Sequence, residues 1–188
     1  QGISGDSVLV DNKRAAEDAV QCFIQKGHRN IGIIGGPKGI FTAQERLAGY
    51  CKALNEVGIP VRESLIFHGD YTIQGGVRGL EELVQRNPDM TAVLVTNYEM
   101  TMGAMIGINE LGIRIPEQLS LIGFDNLQFA RACSPKLTIV SQPTDEIAKE
   151  VARIMLEHLE NGAKEPAEFF TEKFQTEIIE GKSVGIIK

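Results

Sequence analysis

Short, continuously apolar runs separated by amphipathic stretches of helical period dominate this sequence. Residues 31–34, 64–67, 92–95 and 119–122 are each of strand length and rich in Ile, Val or Leu. Unbroken apolarity suits strands covered on both faces, as parallel strands are. Around them, apolar residues recur at three- and four-residue spacing. These sets are Ala16, Ala19, Val20 and Phe23; Leu47, Tyr50, Cys51 and Leu54; Val77, Leu80 and Val84; Met105, Ile108 and Leu111; and, last, Ile147, Val151, Ile154 and Met155. Asp11, Thr42, Thr72, Asn97 and Thr144 stand where N-caps are wanted, and Thr42 with Glu45 has capping-box spacing. Gly27, Gly58, Gly112 and Gly162 stand where a left-handed residue ends a helix, and Pro60 and Pro116 follow two of them. Strand feeding helix feeding strand, with right-handed crossovers, predicts an α/β fold built on a doubly wound parallel sheet.

The chain's two ends break this pattern. Before residue 31 there is one short strand candidate, 7–10, and one helix; after residue 140 come one helix, a polar stretch and extended segments near 168–171 and 175–179. These pieces read as part of a second lobe, or more plainly as flanks of a single sheet.

Nineteen Lys and Arg against 25 Asp and Glu leave a net charge of −6. That balance disfavours coating nucleic acid by bulk electrostatics, although it does not exclude a local basic patch. No apolar run is long enough to cross a bilayer and residues 1–5 carry no signal-peptide core, so the expectation is a cytoplasmic protein without membrane contact. Cys22, Cys51 and Cys133 are far apart, without CxxC spacing, and read as reduced, packed thiols.

Catalytic and cofactor motifs are missing. The stretch 32–37 lacks GxGxxG spacing, Lys38-Gly39 lacks the Walker order, and Pro37 removes a backbone donor that a phosphate loop needs. His28, His68 and His158 share no metal-ligand spacing; His28 follows a helix-ending glycine, where a cation near helix carbonyls is favourable. No GxSxG elbow is present. The reading is a non-enzyme that needs no cofactor or metal.

In an open α/β sheet, ligands sit outside the carboxyl ends of the strands. The first exit leads to Arg46, the second to Asp70 and Tyr71, the third to Asn97 and Tyr98, and the fourth to Asp125 and Asn126. A guanidinium fork, a flat phenol, a carboxamide and a carboxylate suit a small ligand with hydroxyls or ring heteroatoms. Each has a plainer alternative: Asn97 as an N-cap, Asp125 as the partner of Arg46, Tyr71 as cover for a sheet edge.

These segments carry a resemblance. The run from Val10-Asp11-Asn12 to Lys26-Gly27-His28-Arg29-Asn30-Ile31-Gly32-Ile33-Ile34-Gly35-Gly36-Pro37 is similar to the middle of a lactose-repressor (LacI) family core. Arg46-Leu47-Ala48-Gly49-Tyr50, Gly69-Asp70-Tyr71, Ser120-Leu121-Ile122-Gly123-Phe124-Asp125-Asn126 and Leu137-Thr138-Ile139-Val140-Ser141-Gln142-Pro143 continue it in order, over essentially the whole chain. The resemblance implies a periplasmic-binding-protein-like core that begins inside its first lobe. Residues 1–30 and 142–172 would form a partial N-terminal lobe; 31–141 and 173–188 would form a near-complete C-terminal lobe for effector binding and dimerisation.

By position, Arg46, Tyr71, Asn97 and Asp125 match the family's effector contacts, with Gln142 a further candidate at the lobe crossover. Tyr98 departs from the acidic residue common there, which puts a specific sugar in doubt. The implied partners are a small-molecule effector, sugar or purine-like, and a second copy of the chain. The dimer contacts would lie near 74–78, 100–105 and 129–134, with Met100, Met102, Met105 and Phe129 as adaptable apolar surface. Operator DNA would be read only through an N-terminal domain that this sequence lacks. Two rivals share the architecture: a stand-alone sugar-binding protein of an uptake system and a flavodoxin-like enzyme.

Overall fold

The computed structural model describes residues 5–161 and 169–187. Its four apolar runs supply strands of a six-stranded sheet: β2 (Ile31–Gly35), β3 (Ile66–His68), β4 (Ala92–Val95), β5 (Ser120–Phe124), β6 (Thr138–Ser141) and β8 (Glu177–Ile179). Ser64 and Leu65, expected in the second strand, belong instead to a short 3-10 turn, Glu63–Leu65. The spatial order is β3-β2-β4-β5-β6-β8, parallel except for the antiparallel β6–β8 pair. Two further strands, β1 (Ser7–Val10) and β7 (Thr171–Phe174), form a separate parallel pair. The 168–171 segment expected as a strand begins outside the described residues, and the strand found there runs to Phe174.

The six strands are covered on both faces, which is why their apolarity is continuous. Ile31, Ile33, Leu94, Ile122, Phe124 and Val140 face a core completed by α1 (Asn12–Gln25) and α2 (Phe41–Glu56). Ile34, Val93, Val95, Leu121 and Ile139 face the opposite core, completed by α3 (Ile73–Arg86), α4 (Tyr98–Glu110) and the short α5 (Leu127–Ala132). The alternation along each strand is the period-two pleat.

This packing differs from the expected division at two points. Helix α1 buries Ala15, Ala16, Ala19, Val20 and Phe23 in the core it shares with α2, so residues 12–30 go with the larger sheet, not with the smaller lobe. Its apolar stripe is complementary to α2, whose Gly49 lets the Lys13 backbone approach closely. Residues 171–174 pair with β1, so the return to the larger sheet falls after Phe174, two residues later than the expected boundary at 172/173. The chain beyond β8 is laced to the larger sheet: the Ser183 hydroxyl donates to the Leu121 carbonyl at 2.6 Å and the Gly185 N–H to Ser120 Oγ at 2.9 Å.

Helix ends follow the sequence signals in part. Asp11, Thr72 and Asn97 accept the expected N-terminal N–H groups, and Gly27, Gly58 and Gly112 take φ of +94°, +71° and +65°. Gly162 lies outside the described residues. Thr42 is not a cap: α2 starts one residue earlier, from an extended Ile40 that gives no side-chain bond, so the Thr42–Glu45 box does not form. Thr144 likewise is the first helical residue of α6 (Thr144–Asn161). The carbonyl-bonding cation near the end of α1 is Arg29, whose Nη1 donates to the Ile24 carbonyl at 3.1 Å, and not His28.

Candidate ligand-binding site

The chain leaves β2 towards β3 on one side and returns to β4 on the other, so the sheet's topological switch point lies between β2 and β4. Arg46, in the second turn of α2, reaches into this point and is 6% exposed. Its Nη1 donates to the carbonyl of Thr96, just beyond β4, and its Nε donates to Asn12 Oδ1 at 2.8 Å. The guanidinium lies 4.2 Å from the centroid of the Phe124 ring, so it stacks on the last residue of β5. Burial lowers the Arg46 pKa, while the nearby Asp125 carboxylate and Tyr71 oppose that shift. An arginine stays charged regardless.

Asp125 follows Phe124 with φ of +61°, and Asn126 follows at +45°. The Asp125 N–H donates to the Val140 carbonyl at 2.8 Å, and one carboxylate oxygen accepts from Gln142 Nε2 at 2.7 Å. Asn126 caps α5 through the Phe129 N–H. Arg46, Asp125 and Gln142 therefore stand together. Among the described residues Arg46 makes no ion pair, so its charge is not spent on Asp125.

Tyr71 sits at the exit of β3 with φ of +63°. Its ring lies over Gly36, where any Cβ would collide with it, and its hydroxyl meets Thr42 Oγ1 at 3.3 Å. Among the described residues, Tyr71, Asp125 and Asn126 are the non-glycine residues in the left-handed region, at a cost of about 1 kcal/mol or more each. All three lie at strand exits lining one edge, as backbone strain at functional sites does.

Asn97 is the least available of the five candidates. Its Oδ1 accepts from the Met100 N–H at 3.0 Å as the cap of α4, and its Nδ2 donates to Glu99 Oε2 at 2.7 Å. Asp70 is committed to its own turn, accepting from Thr72 and, at 2.8 Å, from Arg78; those bonds hold its carboxyl below the usual range. The phenol of Tyr98 packs edge-on against Phe129, with centroids 5.7 Å apart.

Two cavities are lined by chain neighbours of the candidate residues, and of the five candidates Gln142 alone lines either of them. One of about 310 Å³ is lined by Gly36, Lys38, Ala43, Gln44, Leu47 and His68; the other, of about 320 Å³, by Ser141, Gln142, Pro143, Glu146, Gln175, Thr176 and Glu177. Among the described residues no three His, Cys, Asp or Glu side chains could hold a metal, and no helix is long and apolar enough to cross a membrane.

Sequence reasoning missed Asn12, Thr96 and Phe124, the groups that hold Arg46 in place. Thr96 follows β4 directly and Asn12 is the second residue after β1, and that exit position was the available signal. Nothing local marks Phe124 as a stacking surface, because it reads as one more core residue of β5.

Known proteins share this fold. Residues 20–184 match the periplasmic binding protein-like domain. The HTH-type transcriptional repressor CytR of Escherichia coli K12 is 36% identical over 154 residues, covering 82% of this chain and 45% of the repressor. The transcriptional regulator CelR in complex with cellobiose superposes with a TM-score of 0.88 at 32% identity, covering 95% of this chain and 54% of that one. A sugar-binding LacI-family regulator from Escherichia coli, in complex with phosphate, gives a TM-score of 0.84 at 34% identity, covering 95% of this chain and 63% of that one. The chain spans about half the length of the curated relatives it matches. It belongs to the periplasmic binding protein-like family, in the branch formed by the LacI-type transcriptional regulators.

Proposed function

We propose that this chain is the effector-sensing and dimerisation core of a LacI-type DNA-binding regulator, and that it takes a small polar ligand, a sugar or a nucleobase-like molecule, between two lobes. The observation that carries the reading is the buried, unpaired Arg46 guanidinium at the switch point, stacked on Phe124 and close to the Asp125 carboxylate. Donor fork and acceptor together clamp adjacent hydroxyls or a heteroaromatic edge, and Tyr71 offers a flat face. Gln142 steadies Asp125 beside them, and Asn97 contributes through the start of α4.

The same geometry supports binding without turnover. The hydroxyl–imidazole pair of Thr91 and His28 lies at the amino ends of the strands, with the ring fully buried. A nucleophile there cannot meet a ligand in the crevice. The regulator's work follows from two states. A ligand that binds one lobe arrangement better shifts the equilibrium by that difference in affinity, and the shift repositions DNA-reading heads carried elsewhere in the protein. Such a regulator works in the cytoplasm as a homodimer. The dimer face runs along 74–78, 101–105 and 129–134, where Met102, Met105 and Phe129 are half-buried; Met100, expected on that face, is fully buried and belongs to the core.

A thermal-shift screen of sugars and purines identifies the ligand, and calorimetry then tests the site. Arg46→Ala and Asp125→Ala each weaken binding by about 1.5–3 kcal/mol, the scale of charge-assisted hydrogen bonds. Unchanged affinity in both variants, or conversion of the bound ligand to product, overturns the reading.

A further inference from the structure

Both charged groups of the site are held by carboxamides that stand where the chain passes between its two sheets. Asn12 follows β1 across the first of these passages and is 5% exposed. Its Oδ1 accepts from Arg46 Nε at 2.8 Å, and its Nδ2 donates to the carbonyl of Val10, the last residue of β1, at 3.1 Å. Gln142 follows β6 across the second passage. Its Nε2 donates to Asp125 at 2.7 Å, and its backbone carbonyl accepts the Thr144 N–H at the start of α6, which packs on β1.

The amide chemistry is informative. A carboxamide donates and accepts at once, so one side chain grips both the site and the passing backbone. It is also neutral. A carboxylate at position 12 would hold the guanidinium as firmly but would neutralise it, whereas an amide fixes Arg46 and leaves its charge for another partner. The same holds for Gln142 beside Asp125.

We propose that Asn12 and Gln142 are positioning residues that couple the ligand anchors to the passages between the sheets, so that ligand affinity and the placement of β1 and α6 are linked. This rests on the reading of Arg46 and Asp125 as ligand anchors. Linkage makes the coupling reciprocal: whatever moves the passages changes how Arg46 and Asp125 are presented, and a ligand that draws on them biases the passages.

Amide hydrogen exchange on the intact chain tests the coupling without a ligand. Arg46→Lys keeps a cation on a similar stem but loses the Nε donor. It accelerates exchange in β1 about three- to tenfold, the scale of one hydrogen bond, while β4 amides keep their wild-type rates and report an intact fold. Asn12→Asp is isosteric, so any role in filling space is preserved, but it cannot donate to Val10. Its β1 amides exchange as fast as in Asn12→Ala, and adding Arg46→Lys to either variant changes β1 no further. Wild-type β1 exchange in Arg46→Lys, or in Asn12→Asp, overturns the proposal. Failure of the ligand reading shows separately, as unchanged ligand affinity in Arg46→Ala, with the exchange coupling still present.

Discussion

In the larger sheet Leu94, Val93, Ile122 and Phe124 are fully buried, while in the smaller unit Val151, Met155, Leu156 and Leu159 of α6 remain 40–77% exposed and no residue of β1 or β7 is buried. The two regions draw on similar residue types. They differ in layers: the six strands have helices on both faces, whereas the β1–β7 pair packs mainly on α6. An apolar stripe states that a face needs cover, and only the surrounding layers decide whether it gets it. At roughly 25 cal/mol per Å² of apolar surface removed from water, the larger sheet collects most of the available stabilisation.

The sharpest way to break this contrast is a matched pair of helix substitutions. Helices α3 and α4 approach through glycines, and a Cβ at Gly103 would collide with the Ile73 carbonyl oxygen and press on the Gly76 backbone. Gly103→Val therefore costs about 3 kcal/mol or more, since backbone must separate. Ala152→Val on exposed α6 costs about 0.5 kcal/mol, the propensity difference alone. Urea denaturation measures both, and equal costs would erase the distinction between the regions.

A smaller effect is visible without any substitution. Amides of β2, β4 and β5 open only with global unfolding, whereas those of β1 and β7 open locally, so their exchange differs by about 100-fold or more. Comparable protection in β1 and β4 would mean that the small pair shares the large sheet's cooperativity.

Much of the larger sheet was legible because its signals are local and redundant. Runs such as Ala92–Val95 are apolar throughout, and caps such as Thr72 and Asn97 mark the helices that follow. The place of α1 was not legible: its stripe of Ala16, Ala19, Val20 and Phe23 says that one face is buried, not which sheet covers it. At the candidate site, the strand exits pointed to Arg46 and Asp125 as neighbours, and the structure sets them close together with Gln142 bonded to Asp125. Asn97 illustrates the limit. A residue at a strand exit is also a residue at a helix start, and here the α4 cap takes its oxygen. Left-handed backbone at Tyr71 and Asp125 has no sequence signature, because φ there is imposed by tertiary contacts.

The two regions also differ in how they hold histidine, and this gives the least of the expected effects. The exposed His158 of α6 meets the largely covered Asp6, Nε2 to carboxylate 2.8 Å. His28 is buried in the larger unit, edge-on to Phe23, with Nε2 at 3.2 Å from the Gly185 carbonyl and Nδ1 at 2.9 Å from the Thr91 hydroxyl. A carbonyl only accepts, so Nε2 carries the proton, Nδ1 accepts from Thr91, and the neutral ring is fully satisfied. Burial lowers its pKa below the ordinary 6.5, with the Gly185 carbonyl working the other way. The unfolded chain therefore takes up this proton at higher pH than the folded one. The stabilisation is complete above about pH 6.5 and is lost as pH falls from there through the folded value. His28→Gln flattens that slope in denaturation curves recorded between pH 7 and 5, and opens the Gly185 contact that binds the chain's last described segment to the sheet. A slope unchanged in this variant would assign the acid sensitivity to groups outside the larger core.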